Sequence, residues 1–195
     1  MNKTETKESY QISSRAAERV SELAKRYPHK KSAVMPALYI VQEELGWLPA
    51  VAYDWIAEKL DLAPAHVRSV ASFYTMYYKQ PVGKYHIQIC RTLSCMLCGA
   101  KDITKHVKQR LGTSAGEVTA DGFWSYEEVE CLGSCGSAPM VQINDVFVEN
   151  LTNEKRDAVM DRIQKEKPDL RYSTHKLELG EGMSDSSRSQ VWSNK

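Results

Sequence analysis

The stretch CRTLSCMLCGA, residues 90–100, holds three of the five cysteines of the chain and completes the strand-like segment KYHIQIC. Its C-x4-C-x2-C spacing is typical of a plant-type iron–sulfur site, whereas its inner CMLC is the C-x-x-C of thiol–disulfide oxidoreductases. A second stretch, ECLGSCGSAP at residues 130–139, adds Cys131 and Cys135 in a loop with glycines. Two such loops, each behind a strand, can bring four thiolates together, and soft thiolates bind iron–sulfur clusters or zinc.

The cysteine spacing alone leaves four arrangements open. The first is a [2Fe–2S] cluster on two pairs of thiolates, namely Cys90, Cys95, Cys131 and Cys135. The second is a plant-type set of Cys90, Cys95, Cys98 and one distant cysteine, and the third is thiol–disulfide exchange by Cys95 and Cys98, which precede a helix. The Ala138-Pro139 dipeptide supports the third, because it resembles the thioredoxin loop that faces such a motif. The fourth is a structural zinc site. We expect Cys98 to point into the core.

The segment around the cysteines predicts a small α/β layer over residues 84–168. Strand patterns occur in KYHIQIC, FWSYEEVEC, APMVQIN and VFVENL, and helical patterns in GAKDITKHVKQRLG and TNEKRDAVMDRIQKE. Thr152 is the expected N-cap of the last helix. The predicted order is β-α-β-β-β-α, or β-α-β-β-α if one strand is short, which resembles the thioredoxin fold.

Residues 14–80 show helical periodicity instead, and they predict an N-terminal helical bundle. Ser32 is the expected N-cap of the second helix, Gly46 its C-terminal glycine, and Pro64 the first residue of the fourth helix. Residues 1–13 form a polar lead that we expect to be mobile. Residues 169–195 are polar and rich in serine, which predicts a disordered tail. The fold class is therefore α+β, with an α/β layer at its C-terminal side.

Composition excludes several classes of function. The 195 residues carry a net charge of +1, so no basic field attracts nucleic acid. No apolar run approaches the roughly 18 residues that span a bilayer, and the N-terminus lacks a signal-peptide core, so we expect a cytoplasmic protein without membrane insertion. No G-x-G-x-x-G follows a strand, so we expect flavin and nicotinamide to bind elsewhere. No constellation of catalytic side chains stands out.

Three stretches carry a family resemblance, HVRSVASFYTMYY, HIQICRTLSCMLCGA and VECLGSCGSAPMVQIND. With GWLP and LGTSAGEVTADG, they resemble the E subunits of bacterial NADH:quinone oxidoreductase (respiratory complex I) over about residues 15–166. The mitochondrial small flavoprotein-fragment subunit is their counterpart, and related subunits serve hydrogenases and formate dehydrogenases. The resemblance implies a helical bundle followed by a thioredoxin-like [2Fe–2S] ferredoxin domain. It also implies one cluster, bound at positions matching Cys90, Cys95, Cys131 and Cys135.

The resemblance further implies an electron-transfer subunit with no substrate site of its own. FMN and NADH would bind only the partner subunit, and other peripheral-arm subunits would complete a complex on the cytoplasmic side of the inner membrane. Two other functions stay open, namely thiol–disulfide exchange and a redox-silent clamp for the flavin subunit. We expect exposed aromatic side chains of the helical region to dock on the partner, and the candidates are Tyr53, Trp55, Tyr74, Tyr77 and Tyr78.

Overall fold

The computed structural model describes residues 10–171, and the chain divides into two compact units between Pro81 and Val82. The first unit is helical, as predicted. Its described part, residues 10–81, contains one short 3-10 turn and four α-helices, with the bounds α1 Ser14–Ala24, 3-10 turn Lys30–Ala33, α2 Val34–Leu45, α3 Ala50–Leu60 and α4 Pro64–Phe73. No helix within residues 10–171 is long and apolar enough to cross a membrane.

The ends of these helices follow local chemistry. The Ser13 hydroxyl accepts a hydrogen bond from the Ala16 amide at 3.1 Å and so caps α1. Gly46 ends α2 in the left-handed conformation, with φ of 79°, as predicted. The predicted Ser32 N-cap of α2 is wrong, because the 3-10 turn runs directly into the helix and Ala33 occupies the cap position.

The first unit has an apolar core that also contains a buried glutamine. The Gln42 side chain donates to the Met76 carbonyl at 3.0 Å and accepts from the Tyr78 amide at 2.7 Å. Tyr77 is fully buried and donates to a backbone carbonyl of α2, so the expectation that it is an exposed docking residue is wrong. The most exposed large apolar side chain here is Phe73, at 79%. The sequence around Phe73 does not indicate which of the aromatic side chains there are exposed and which are buried.

The second unit contains a mixed four-stranded sheet. Along the chain, its strands follow the longer of the two predicted orders of elements. Its strands lie in the order β2-β1-β3-β4, with β1 parallel to β2 and the other pairs antiparallel. The bounds are β1 Tyr85–Cys90, α5 Leu93–Leu97, α6 Ala100–Leu111, β2 Trp124–Val129, β3 Val141–Ile143, β4 Val146–Val148 and α7 Asn153–Glu166. Thr152 caps α7 as predicted, accepting from the Lys155 amide.

Strand β1 ends in a cysteine whose side chain lies on the face of the sheet opposite the core. Ile87 and Ile89 belong to the core that the sheet forms with α6 and α7, whereas Cys90 points to the other face and ends the strand. Cys90 pairs with Val129 across the parallel ladder. Because parallel strands end at the same edge, the two cysteine-bearing loops start side by side. The packing extends beyond α7, since Leu170 is buried at 2% exposure.

Gly83 lies where the chain enters β1 against the main chain of β2. A Cβ there would lie 2.4 Å from the Trp124 carbonyl carbon and 2.7 Å from the Ser125 amide nitrogen. Gly83→Ala is expected to lower the free energy of unfolding by about 3 kcal/mol, because main-chain atoms cannot move aside as a side chain can. Urea denaturation of the apo-protein, followed by circular dichroism, measures this. Gly136→Ala is the control, with nothing within 4 Å; an equal loss there would contradict the steric account.

Candidate metal centre

The candidate centre is built by the two loops that leave β1 and β2. The first loop continues from Cys90 into the short helix α5, which contains Cys95. The second loop carries Cys131 just after β2, and Cys135 begins a 3-10 turn that ends at Ser137. The sequence predicted both loops from the strand patterns, and the structure brings all four predicted ligands to one edge of the sheet.

Cys90 and Cys95 form a buried inner pair. They are 3% and 2% exposed, and they share a small apolar cluster with Ala100 and Met140. Each thiol also shifts the pKa of the other. Burial keeps water from this side of the centre, which strengthens any electrostatic interaction made there.

Cys131 and Cys135 form an exposed outer pair, with their sulfur atoms 3.7 Å apart. Gly133, between them, has a φ of 83°, a backbone conformation that glycine adopts without strain. In this conformation its amide points back and donates to the Cys131 sulfur at 3.3 Å. The glycine thus turns the loop tightly enough for its own main chain to act as a donor to a thiolate.

Main-chain amides surround the sulfur atoms of both pairs. Main-chain hydrogen bonding from Thr92 and Leu132 lowers the pKa of Cys90, and that from Met140 acts to lower the pKa of Cys95. The Thr92 hydroxyl lies 3.4 Å from the Cys90 sulfur. The contribution of Met140 was not expected from the sequence. That residue follows the cis Ala138-Pro139 bond and lies between the second loop and β3, outside both cysteine motifs.

The pKa values show that each pair acts as a unit. Burial raises the pKa of Cys95 to about 11, and the neighbouring Cys90 adds to this. The pKa of Cys90 is lowered, because hydrogen bonds from Thr92 and Leu132 outweigh the opposing effect of burial. In the outer pair the Gly133 amide lowers the pKa of Cys131, and Cys131 in turn raises that of Cys135. In each pair, therefore, one thiol has a lowered pKa and the other a raised pKa.

The two pairs also influence each other. Cys90 interacts electrostatically with both outer thiols, and Cys95 interacts with Cys135. Within residues 10–171, however, no three His, Cys, Asp or Glu side chains converge as ligands of one metal ion. Two pairs of thiols, rather than one tetrahedral group, fit a cluster of two irons better than a single structural zinc ion.

Cys98 takes no part in either pair. It is exposed at the C-terminal end of α5, so the expectation that it points into the core is wrong. We predicted no helix over residues 93–97, but they form α5, and Cys98 occupies the C-cap position of that helix. Thiol–disulfide exchange by Cys95 and Cys98 is disfavoured too, because a reactive thiol needs a lowered pKa and access to substrate. Cys95 is buried, and its pKa is raised instead of lowered.

Apolar side chains project from α5 beside the centre. Leu93 and Leu97 are 75% and 79% exposed, and Met96 is 37% exposed. The two leucines are four residues apart, so they lie on one face of the helix. We call these three side chains the α5 patch. The sequence did not indicate that these side chains are exposed, and the structure places them on the surface.

Comparison with known proteins identifies relatives over most of the chain. The model of the thioredoxin-like [2Fe-2S] ferredoxin family matches residues 20–164. The E subunit of the NADH-quinone oxidoreductase of Rickettsia bellii is 44% identical over 146 residues, which cover 73% of this chain and 87% of that protein. The corresponding NADH-quinone oxidoreductase protein of Thermus thermophilus, its subunit 2, is 44% identical over 138 residues, which cover 69% of this chain and 76% of that protein. These matches confirm the resemblance inferred from the motifs.

A solved structure shares the fold. A chain of an NAD+-reducing [NiFe]-hydrogenase superposes with a TM-score of 0.61 at 23% identity. The match covers 73% of this chain but only 24% of the hydrogenase chain, so the similarity concerns one part of a longer polypeptide. The predicted fold class, a helical N-terminal region followed by a thioredoxin-like ferredoxin domain, is confirmed.

Proposed function

The chain belongs to the thioredoxin-like [2Fe–2S] ferredoxin family, and we propose that it is the electron-carrying subunit of an NADH-quinone oxidoreductase. One observation carries the proposal, namely that four thiols form two interacting pairs at one sheet edge. Relatives at 44% identity bear the name of that oxidoreductase, which supports the choice of complex.

We propose that Cys90, Cys95, Cys131 and Cys135 hold the cluster. Their soft sulfur atoms, their number and their arrangement in pairs fit two irons, each of which needs two protein thiolates. When bound, a [2Fe–2S] cluster supplies a one-electron redox couple. Cys98 is exposed and outside both pairs, so we assign it no ligand role.

The surrounding residues would set the redox potential in opposite directions. The amides of Thr92, Leu132, Gly133 and Met140 stabilise negative charge on the sulfur atoms, which favours the reduced state. The apolar surroundings of Cys90 and Cys95 oppose additional charge and favour the oxidised state. Exposure of the outer pair places one side of the centre at the surface, where an electron can pass to or from a partner.

The number of electrons that NADH delivers indicates what kind of partner is needed. NADH delivers two electrons together as hydride, whereas this centre accepts one, so a flavin must separate them. We propose that FMN and NADH bind only a partner subunit and that this chain exchanges single electrons with that flavin. Other peripheral-arm subunits would complete the assembly, held peripherally on the cytoplasmic side of the membrane.

The first test is an anaerobic ultraviolet–visible and EPR spectrum of the full chain, before and after dithionite, with iron, sulfide and zinc analysis. We expect a red-brown chromophore and, on reduction, the paramagnetic signal of one [2Fe–2S] cluster. A colourless protein that contains zinc would contradict the proposal. In the assembled complex, NADH should reduce the cluster; a cluster that stays oxidised there would instead indicate a redox-silent clamp.

A further inference from the structure

A carboxylate outside both cysteine motifs reaches into the second cysteine loop. Glu149 directly follows β4, and its Oε1 accepts a hydrogen bond from the Ser137 hydroxyl at 2.6 Å. The same oxygen accepts from the Ser134 hydroxyl, and the two hydroxyl oxygens are 2.7 Å apart. Ser134 is the residue immediately before Cys135, between the two cysteines of the outer pair. Glu149 therefore contacts the loop at the point where its ligands are positioned.

Main-chain hydrogen bonds fix the same two segments together. The Asn150 amide donates to the Ser137 carbonyl at 2.8 Å, and the Leu151 amide donates to the Pro139 carbonyl at 2.9 Å. Lys155, in the first turn of α7, donates to the Glu149 carbonyl at 2.5 Å. The main chain of Glu149 is thus fixed by these hydrogen bonds, and its carboxylate is fixed by the two serine hydroxyls.

The geometry favours an ionised carboxylate. Each serine hydroxyl has a hydrogen to donate, and a charged carboxylate oxygen is a stronger acceptor than a neutral one. Hydrogen bonds from Ser134 and Ser137 accordingly lower the pKa of Glu149 against the opposing effect of burial, and Lys155 lowers it further. A fixed negative charge is therefore present beside the cysteine loop at neutral pH.

We propose that Glu149 is a positioning residue for the second cysteine loop and that its charge lowers the reduction potential of the centre. This inference rests on the proposed function, because a potential exists only if the four thiols hold a cluster. Reduction adds one negative charge to the site, and a nearby fixed negative charge disfavours that addition. The serines connect the two effects, since the same hydrogen bonds hold the loop and bring the charge to it.

Two substitutions separate the charge from the loop contact. Glu149→Gln keeps an acceptor oxygen but removes the charge, so the loop should stay ordered while the potential rises. At the wild-type midpoint potential, we expect the ratio of oxidised to reduced cluster to fall about tenfold, equal to about 59 mV for one electron. Glu149→Ala removes both, so amides of residues 133–137 should exchange hydrogen faster in the apo-protein. A chelator should also remove iron about tenfold faster.

Glu130→Gln is the matched control for charge. Glu130 also lies next to a cysteine of the outer pair, but it is 77% exposed and paired with Arg91, so solvent screens it. The inference is overturned if Glu149→Gln shifts the potential no more than Glu130→Gln. It is equally overturned if Glu149→Ala leaves loop exchange unchanged. If the wild-type protein binds no cluster, the proposed function fails instead, and exchange in the apo-protein still tests the loop contact.

Discussion

Cys135→Ala is expected to abolish the [2Fe–2S] chromophore, whereas Cys98→Ala should retain it. Both side chains are exposed, so neither substitution removes core packing, and the comparison isolates the role of the thiol as a ligand. Loss of a group that only orients a ligand costs about 10–100-fold in metal affinity. Loss of a direct ligand should therefore cost more than about 100-fold. Anaerobic reconstitution followed by iron and sulfide analysis and EPR measures the outcome.

This pair of variants also separates the competing uses of the cysteines. A plant-type ligand set or a Cys95–Cys98 dithiol requires Cys98, so loss of the chromophore or of redox activity in Cys98→Ala would contradict our ligand assignment. Retention of an unchanged cluster in Cys135→Ala would contradict it as well. Apo-protein stability should be equal in the two variants, which excludes misfolding as the cause of a difference.

The convergence of the two cysteine loops could be predicted because the cysteines and the strands before them show in residue type and local spacing. Cysteines behind two strands are recognisable from the sequence, and the structure brings those of both loops together. The position of Cys98 could not be predicted in this way. It depends on the five-residue helix Leu93–Leu97, which is too short to show a helical period.

Contacts distant along the chain were also beyond sequence reasoning. Glu149 meets Ser134 from 15 residues away, across the β3–β4 pair, and no local pattern specifies this side-chain contact. Helix ends were predictable where one residue decides them, as at Gly46 and Thr152. The start of α2 was not, because a 3-10 turn and an α-helix share the same early spacing and differ only in their hydrogen bonds.

The α5 patch and the outer thiols are exposed on neighbouring parts of one loop system. Electron exchange requires a partner at that surface, and leucines that stay exposed beside a redox centre are normally covered in a complex. Burying a leucine side chain contributes about 1.5–3 kcal/mol. Two leucines buried against the proposed flavin-binding partner would therefore contribute at least about 3 kcal/mol, which is about 100-fold in affinity.

Leu93→Ser combined with Leu97→Ser is accordingly expected to weaken binding to the NADH-oxidising partner about 100-fold while the cluster is retained. Neither leucine packs in the core, so the fold and the four thiols should be unaffected. Affinity for the purified partner and the rate at which NADH reduces the cluster measure the effect. At saturating partner the reduction rate should recover, because the substitutions change docking and leave the redox centre as it was.

Phe147→Ser is the matched control, because it also removes an exposed apolar side chain, at 42% exposure, but from strand β4 rather than from α5. Its affinity for the partner should remain close to that of the wild type. An equal loss in both variants would mean that general surface hydrophobicity drives the association. Unchanged affinity in the leucine double variant would mean that the partner does not bind over the α5 patch. Electrons would then reach the outer thiols from another side while the patch stays exposed.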